Sequence, residues 1–189
     1  MSNSPTLQRE CRPEGRSLHL VQVKDYLKID RCNTDDNDLL WNLINQVTDS
    51  AEEYLRTSIV NQLWRLTFEG YAPSMVRLPM GPVQEIRVVK VTARDLVETE
   101  ISPDVYYLSA KKKRLIFEAN ILSPYVDIIY KTGYGISGSY MPDELREGLL
   151  KHISGVYRGD CGVNVIPAPV QSIYNPYKES SYGNLSIKK

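Results

Sequence analysis

The chain has 189 residues, of which 42% are hydrophobic and 24% are charged, a composition typical of one globular domain with or without arms. Its 23 basic and 23 acidic residues balance, which disfavours a protein that coats nucleic acid with a uniformly basic surface. Its three cysteines are widely spaced and form no CxxC pair, so reduced thiols in a cytoplasmic setting are expected. The sequence contains no run of eighteen apolar residues, so no membrane span is predicted.

The first third of the chain predicts an arm followed by two helices. Residues 1–17 are polar and interrupted by proline and glycine, so we expect an extended arm that orders on a partner. Residues 18–58 form the helical part, because apolar residues recur there at helical intervals. The first helix carries Leu20, Val23 and Leu27, and the second runs to about Arg56.

The polar cluster at residues 33–38 precedes the second helix. A calcium loop is one interpretation, since carboxylates at alternate positions can surround a hard cation. The cluster lacks the glycine that such a loop needs at its sharp turn, and Ile44 stands where a bidentate Glu would close the site. We therefore favour a helix N-cap with acidic residues at the positive end of the helix dipole.

Residues 59–138 predict an inserted antiparallel β-module. Apolar and polar residues alternate between 63 and 68, as on a half-buried strand. The run Leu78-Pro79-Met80-Gly81-Pro82-Val83 cannot continue a central strand, because each Pro lacks a donor and Gly permits a reversal. Four further strands are predicted at residues 83–91, 105–108, 114–117 and 125–131.

A last helix is predicted within residues 139–160, because Pro142 suits a first helical turn. Its apolar stripe of Leu145, Leu149 and Ile153 is expected to pack on the second helix, along Leu39, Leu43, Val47 and Ala51. The predicted fold class is therefore α+β: a small helical core of two N-terminal helices and one C-terminal helix, with an inserted antiparallel β-module and extended N- and C-terminal arms.

Residues 161–189 predict a docking arm. The segment mixes apolar residues with prolines and lacks the periodicity of an element that folds alone. The candidate docking residues are Val165, Ile166, Pro167, Pro169, Ile173, Tyr174, Pro176 and Tyr177.

No segment carries a recognisable catalytic, metal-binding or cofactor-binding set. The two histidines, His19 and His152, have no second ligand at metal-binding spacing. The glycine-rich stretch at residues 133–138 is not followed by the Lys and Ser or Thr of a phosphate loop. We expect a protein that is not an enzyme and has no cofactor.

The concentrated basic run Lys111, Lys112, Lys113 and Arg114 is predicted at a hairpin tip between two short strands. It could be a solvated turn that discourages edge pairing, or it could contact phosphate or an acidic protein surface. One copy of the run would bind nucleic acid weakly, whereas a ring of copies would form a positively charged collar, so its binding strength depends on oligomerisation. We favour a solvated or protein-facing tip.

Six short motifs follow one another along residues 18–178. They are Val23-Lys24-Asp25-Tyr26-Leu27-Lys28-Ile29-Asp30; Asp36-Asn37-Asp38-Leu39-Leu40 with Ala51-Glu52-Glu53-Tyr54-Leu55; Asn61-Gln62-Leu63-Trp64 with Leu78-Pro79-Met80-Gly81-Pro82-Val83; Tyr130-Lys131-Thr132-Gly133-Tyr134-Gly135; Met141-Pro142-Asp143-Glu144-Leu145-Arg146 through Val156-Tyr157-Arg158; and Ile173-Tyr174-Asn175-Pro176-Tyr177-Lys178. In this order they resemble the head–tail connector (adaptor, head-completion) proteins of tailed bacteriophages and gene transfer agents. The chain departs from the pattern of that family at the N-terminal arm, at Ser123-Pro124 in place of a usual Trp-Pro, and after Lys178.

The resemblance implies a virion structural protein of the neck, assembled in the bacterial host cytoplasm. Its implied partners are the portal protein, neighbouring copies in a dodecameric ring, stopper or tail proteins, and passing genomic DNA, which is contacted without sequence specificity. No membrane partner is implied. Two alternatives remain open: a stopper or tail-completion protein of the same neck, and a nucleic-acid-binding module that uses the basic run.

Overall fold

The computed structural model describes residues 4–11, 13, 15–111, 113–180, 182 and 185–188. The chain divides into two compact units, each assembled from separate segments. The β unit draws on residues 1–13, 62–133 and 181–189, and the helical unit draws on residues 14–61 and 134–180. The predicted α+β class is confirmed.

The helical unit contains four helices in its described residues. They are α1 (Leu20–Leu27), α2 (Asn37–Leu55), α3 (Asp143–Tyr157) and α4 (Ala168–Tyr174). The first three match the predicted helices, whereas α4 lies where an extended arm was predicted. Apolar side chains from all four helices form one buried core.

The core of this unit follows the predicted stripe closely. Leu145, Leu149 and Ile153 of α3 are buried, as are Leu43, Val47 and Ala51 of α2. Leu39 was also expected in this contact, but it is 49% exposed. Leu39 lies in the first turn of α2, where its neighbour Leu40 takes the buried position.

The polar cluster before α2 forms a loop that encloses the side chain of Lys24. No group of three or more potential metal-ligating side chains occurs in the described residues. The buried ammonium of Lys24 donates to the carbonyl oxygens of Arg31 (3.2 Å) and Asn33 (2.5 Å). Asp36 occupies the N-cap as predicted, but its side chain makes no capping bond; it accepts a hydrogen bond from the Tyr157 hydroxyl at 3.0 Å instead.

The β unit contains nine strands in its described residues. They are β1 (Thr6–Arg9), β2 (Gln62–Ala72), β3 (Met75–Arg77), β4 (Val83–Thr92), β5 (Glu98–Glu100), β6 (Tyr106–Leu108), β7 (Arg114–Phe117), β8 (Ile121–Thr132) and β9 (Ser186–Lys188). A six-stranded sheet has the order β5-β4-β8-β2-β1-β9, and a three-stranded sheet has the order β3-β7-β6. All pairings among these strands are antiparallel except that of β1 with β9.

Strand β1 corrects the prediction of an N-terminal arm. Residues 6–9 pair with residues 64–67 of β2, and Leu7 is fully buried in the core of the β unit. This core also takes side chains from both sheets, among them Leu66, Ile128 and Leu115. The segment is ordered by the chain's own sheet because a central strand offers it a ladder of backbone partners.

A hydrogen bond joins the proline-containing turn at residues 78–83 to strand β8 in this unit. The hydroxyl of Tyr130, on β8, is buried and donates to the carbonyl oxygen of Pro79 at 3.0 Å. Met80 beside it adopts a left-handed backbone with φ of 60°. The hydrogen bond therefore ties the turn between β3 and β4 to the centre of the large sheet.

Candidate interaction surfaces

The predicted docking segment is largely part of the helical core. Val170 and Tyr174 of α4 are buried against α3, and Ile166 just before the helix is 8% exposed. A Cβ atom on Gly148 of α3 would lie only 2.4 Å from Cε1 of Tyr174, so the ring rests directly on the α3 backbone. Residues 166–174 are therefore not an extended arm, because burial of these side chains holds the segment on α3 and stabilises residues 168–174 as a helix.

Polar contacts fix the end of this segment onto the same unit. The Tyr54 hydroxyl donates to Asn175 Oδ1 at 2.8 Å, and the Tyr177 hydroxyl donates to Glu144 Oε2 at 2.9 Å. The backbone nitrogen of Glu179 donates to the carbonyl oxygen of Leu55 at 2.8 Å. Residues 175–179 are thus held against the C-terminal end of α2 and the first turn of α3.

Two tyrosines of the segment have raised pKa values for different reasons. Burial raises the pKa of Tyr174. The hydrogen bond with the Glu144 carboxylate is the main cause that raises the pKa of Tyr177. Both rings therefore stay neutral near neutral pH, and any contact they make is one of packing or hydrogen bonding.

Three of the candidate docking residues remain available at the surface of the helical unit. Val165 is 60% exposed, and Pro169 and Pro176 are exposed as well. Pro167, Ile173 and Tyr177 are half-buried. The structure thus divides the predicted set into residues that hold the fold and residues that a partner can reach.

The basic run lies at the turn between β6 and β7, as predicted. Lys111, Lys113 and Arg114 are exposed, while Lys112 falls outside the described residues. The backbone nitrogen of Ser109 donates to the carbonyl oxygen of Arg114 at 2.8 Å, which closes the hairpin. The turn thus presents cations to solvent at one end of the small sheet.

A second surface, which sequence analysis missed, is the outward face of the three-stranded sheet. Met75, Ile116 and Tyr107 are register partners across β3, β7 and β6, and they point away from the core formed by the alternate residues. Arg77 pairs with Arg114 at the neighbouring register position of the same face. We name these five residues the basic-apolar face. Only the strand register brings them together, so no local signal in the sequence marks them.

The two histidines lie in different surroundings. His19 is exposed, and His152 is fully buried in α3, where burial is the main influence on its pKa and lowers it. Within the described part of the chain, no helix combines the length and apolar character needed to cross a bilayer.

Comparison with solved structures finds the same fold in particles called gene transfer agents (GTA). A chain of "Neck of empty GTA particle computed with C6 symmetry" matches with a TM-score of 0.76 and 18% identity, over 93% of this chain and 96% of that chain. A chain of "Virion of native gene transfer agent (GTA) particle" matches with a TM-score of 0.76 and 17% identity over the same shares. A chain of "Neck of native GTA particle computed with C12 symmetry" matches with a TM-score of 0.73 and 18% identity, again over 93% and 96%. No protein-family model matches the sequence, and no curated protein does.

Proposed function

We propose that this protein is a structural component of a phage-like virion neck, an adaptor that binds the portal as an oligomeric ring and extends the DNA channel toward the tail. The observation that carries the proposal is the likeness over nearly the whole of both chains to chains of GTA necks. The match covers 93% of this chain, so it includes most of both units rather than a common subfold. The sequence motifs between residues 18 and 178 support the same assignment.

The ring is proposed to have twelve copies, and its partners are the portal above and stopper or tail proteins below. Val165, just before α4, and Pro169, in its first turn, are proposed to contact the portal, since both are exposed and neither belongs to the buried side of the helix. Twelve such weak contacts in one closed ring would act together, because after the first contact the others form within one complex.

Co-purification tests the adaptor role. Tagged protein is mixed with purified portal protein, with a pre-formed portal–adaptor complex of a related neck, and with duplex DNA alone. We expect capture of the portal and a ring by electron microscopy. Binding only to the pre-formed complex would assign the protein to the stopper layer, and salt-sensitive binding to DNA without portal binding would assign it to the nucleic-acid-binding class.

A matched pair of variants tests the docking residues. Val165→Asp places a charge on the proposed contact, whereas Leu39→Asp places one on another exposed apolar position of the same unit. We expect the first to weaken portal capture by roughly tenfold or more and the second to leave it unchanged, with both proteins folded. Equal binding by both variants would exclude Val165 from the contact.

A further inference from the structure

The basic-apolar face combines an apolar stripe with two guanidinium groups. Met75 is 51% exposed and Tyr107 is 60% exposed, and Ile116 lies between them in the strand register. Arg114 Nη1 lies 3.2 Å from Met75 Sδ, and Arg77 lies 5.9 Å from the ring of Tyr182. Exposed apolar side chains in a contiguous row, rimmed by charge, are typical of a surface that binds protein.

A second exposed apolar site lies on the same unit, at the hairpin between β4 and β5. Leu96 is 77% exposed and Val97 is 56% exposed. The tip is ordered: the backbone nitrogen of Ala93 donates to Val97 O at 3.1 Å, and that of Val97 donates to Asp95 Oδ1 at 3.2 Å. A partner therefore meets these side chains in a fixed turn, and binding costs little conformational entropy.

This tip is acidic where the other surface is basic. Asp95, Glu98 and Glu100 flank Leu96 and Val97 in the sequence, and Arg94 is the single cation between residues 93 and 100. Glu98 forms an ion pair with Lys90 at 3.3 Å, whereas Glu100 is exposed on the outermost strand of the six-stranded sheet. We name residues 95–100 the acidic tip.

We propose that the acidic tip of one copy docks on the basic-apolar face of the next copy, with Leu96 and Val97 against Met75, Ile116 and Tyr107. The inference rests on the ring of the proposed function and specifies one contact between its subunits. Two different patches on one compact unit make a head-to-tail interface, the kind from which rings are built when the rotation between copies closes. Apolar burial supplies the attraction, and the opposite charges select the partner and its orientation.

The chemistry of the face favours a protein occupant over DNA. Phosphate groups could pair with Arg77 and Arg114, but the row of Met75, Ile116 and Tyr107 would remain exposed to water. The acidic tip would in turn repel phosphate. A second copy covers both the apolar row and the charges, so it accounts for the whole surface.

Charge reversal tests the contact. Arg114→Glu and Glu100→Lys are made separately and together, and Glu69→Lys serves as the control on an exposed position of β2. Ring formation with portal protein is measured by native mass spectrometry and electron microscopy, after circular dichroism has shown that each variant is folded. We expect each single reversal to reduce ring formation roughly tenfold or more, the double reversal to restore most of it, and the control to match wild type.

Disulfide trapping gives a second, portal-independent measurement. In a chain whose three cysteines are replaced by serine, Leu96→Cys and Tyr107→Cys are carried on separate copies and mixed under oxidation. We expect a covalent dimer from this mixture and little from a mixture of Leu96→Cys with Glu69→Cys.

The outcomes separate the two proposals. If the wild-type protein forms rings and both single variants form them equally well, the docking contact is overturned while the adaptor role stands. The same holds if both single variants lose ring formation and the double variant does not restore it. Rings that form normally in Arg114→Glu but retain or eject DNA abnormally assign the face to the channel and overturn it too. A wild-type chain that neither binds portal nor assembles refutes the adaptor role, and the inter-copy contact fails with it.

Discussion

The aromatic ring of Tyr174 lies directly on the backbone of Gly148, one helix against another. A Cβ atom at position 148 would be 2.4 Å from Cε1 of Tyr174 and 3.3 Å from Cγ2 of Ile173. Gly148 therefore occupies a helix interior where it is intrinsically unfavourable, because the close packing of α4 on α3 needs the missing side chain. This contact converts a proline-rich segment into part of the core.

We expect Gly148→Ala to lower the free energy of unfolding by about 1–3 kcal/mol, because overpacking outweighs the gain in helix propensity of about 1 kcal/mol. Urea denaturation measures the change. Glu147→Ala, at the adjacent exposed position of α3, should change stability by about 0.5 kcal/mol or less. A Gly148→Ala protein that is more stable than wild type would show that α4 is not seated there.

Leu149 and Leu39 form a matched pair of leucines in helices, one fully buried and one 49% exposed. Leu149→Ala is expected to lower the free energy of unfolding by about 2–5 kcal/mol, since it leaves a cavity between α2 and α3. Leu39→Ala should cost less than about 1 kcal/mol. Equal losses in the two variants, by chemical denaturation, would contradict the assignment of the core.

Lys24 tests the loop before α2. The residue is 3% exposed and its ammonium donates to two backbone carbonyl groups, so Lys24→Met removes the partner of both. We expect a loss of about 1–3 kcal/mol in the free energy of unfolding. Lys28→Met, at an exposed position shortly afterwards, is the control and should stay within about 0.5 kcal/mol of wild type.

His152 should make stability depend on pH. Burial lowers its pKa from 6.5, so below about pH 6.5 the unfolded chain takes up a proton that the folded chain resists. The contribution of neutral His152 to the free energy of unfolding is complete above pH 6.5 and is lost as the pH falls toward the lowered pKa of the folded state. The free energy of unfolding therefore changes by at most about 1.4 kcal/mol per pH unit.

Denaturation between about pH 5 and pH 7 measures this slope in wild type, in His152→Gln and in His19→Gln, the only other histidine. We expect His152→Gln to flatten it and His19→Gln to preserve it. The same slope in all three proteins would assign the dependence to other groups.

Local periodicity was sufficient to predict α2, α3 and most strands, since their apolar residues recur at the spacing of the element. It failed at β1, whose four residues gain their order from pairing with β2, far along the chain. It also failed at α4, because Pro167 and Pro169 were interpreted as interruptions. In the structure they occupy the N-cap and first turn, where a missing backbone donor removes no helical hydrogen bond.

The start of β8 was predicted too late for a similar reason. Pro124 lies inside the strand, but the ladder with β4 extends only to the pairing of Thr92 with Tyr125. Beyond that point the Ser123 hydroxyl donates to the Thr92 carbonyl oxygen at 2.9 Å. A proline is compatible with a strand at a position where the pairing with one neighbouring strand has ended. The residue type alone does not indicate where that pairing ends.

The division of each unit among separate segments has a consequence for synthesis on the ribosome. Helices α1 and α2 emerge early but lack α3 and α4, which supply much of their core, until residue 174 has been translated. The intervening residues 62–133 form the greater part of the other unit in the meantime. Neither unit is one uninterrupted stretch of sequence, so producing the helical unit alone requires a designed linker in place of residues 62–133, and producing the β unit alone requires two such linkers.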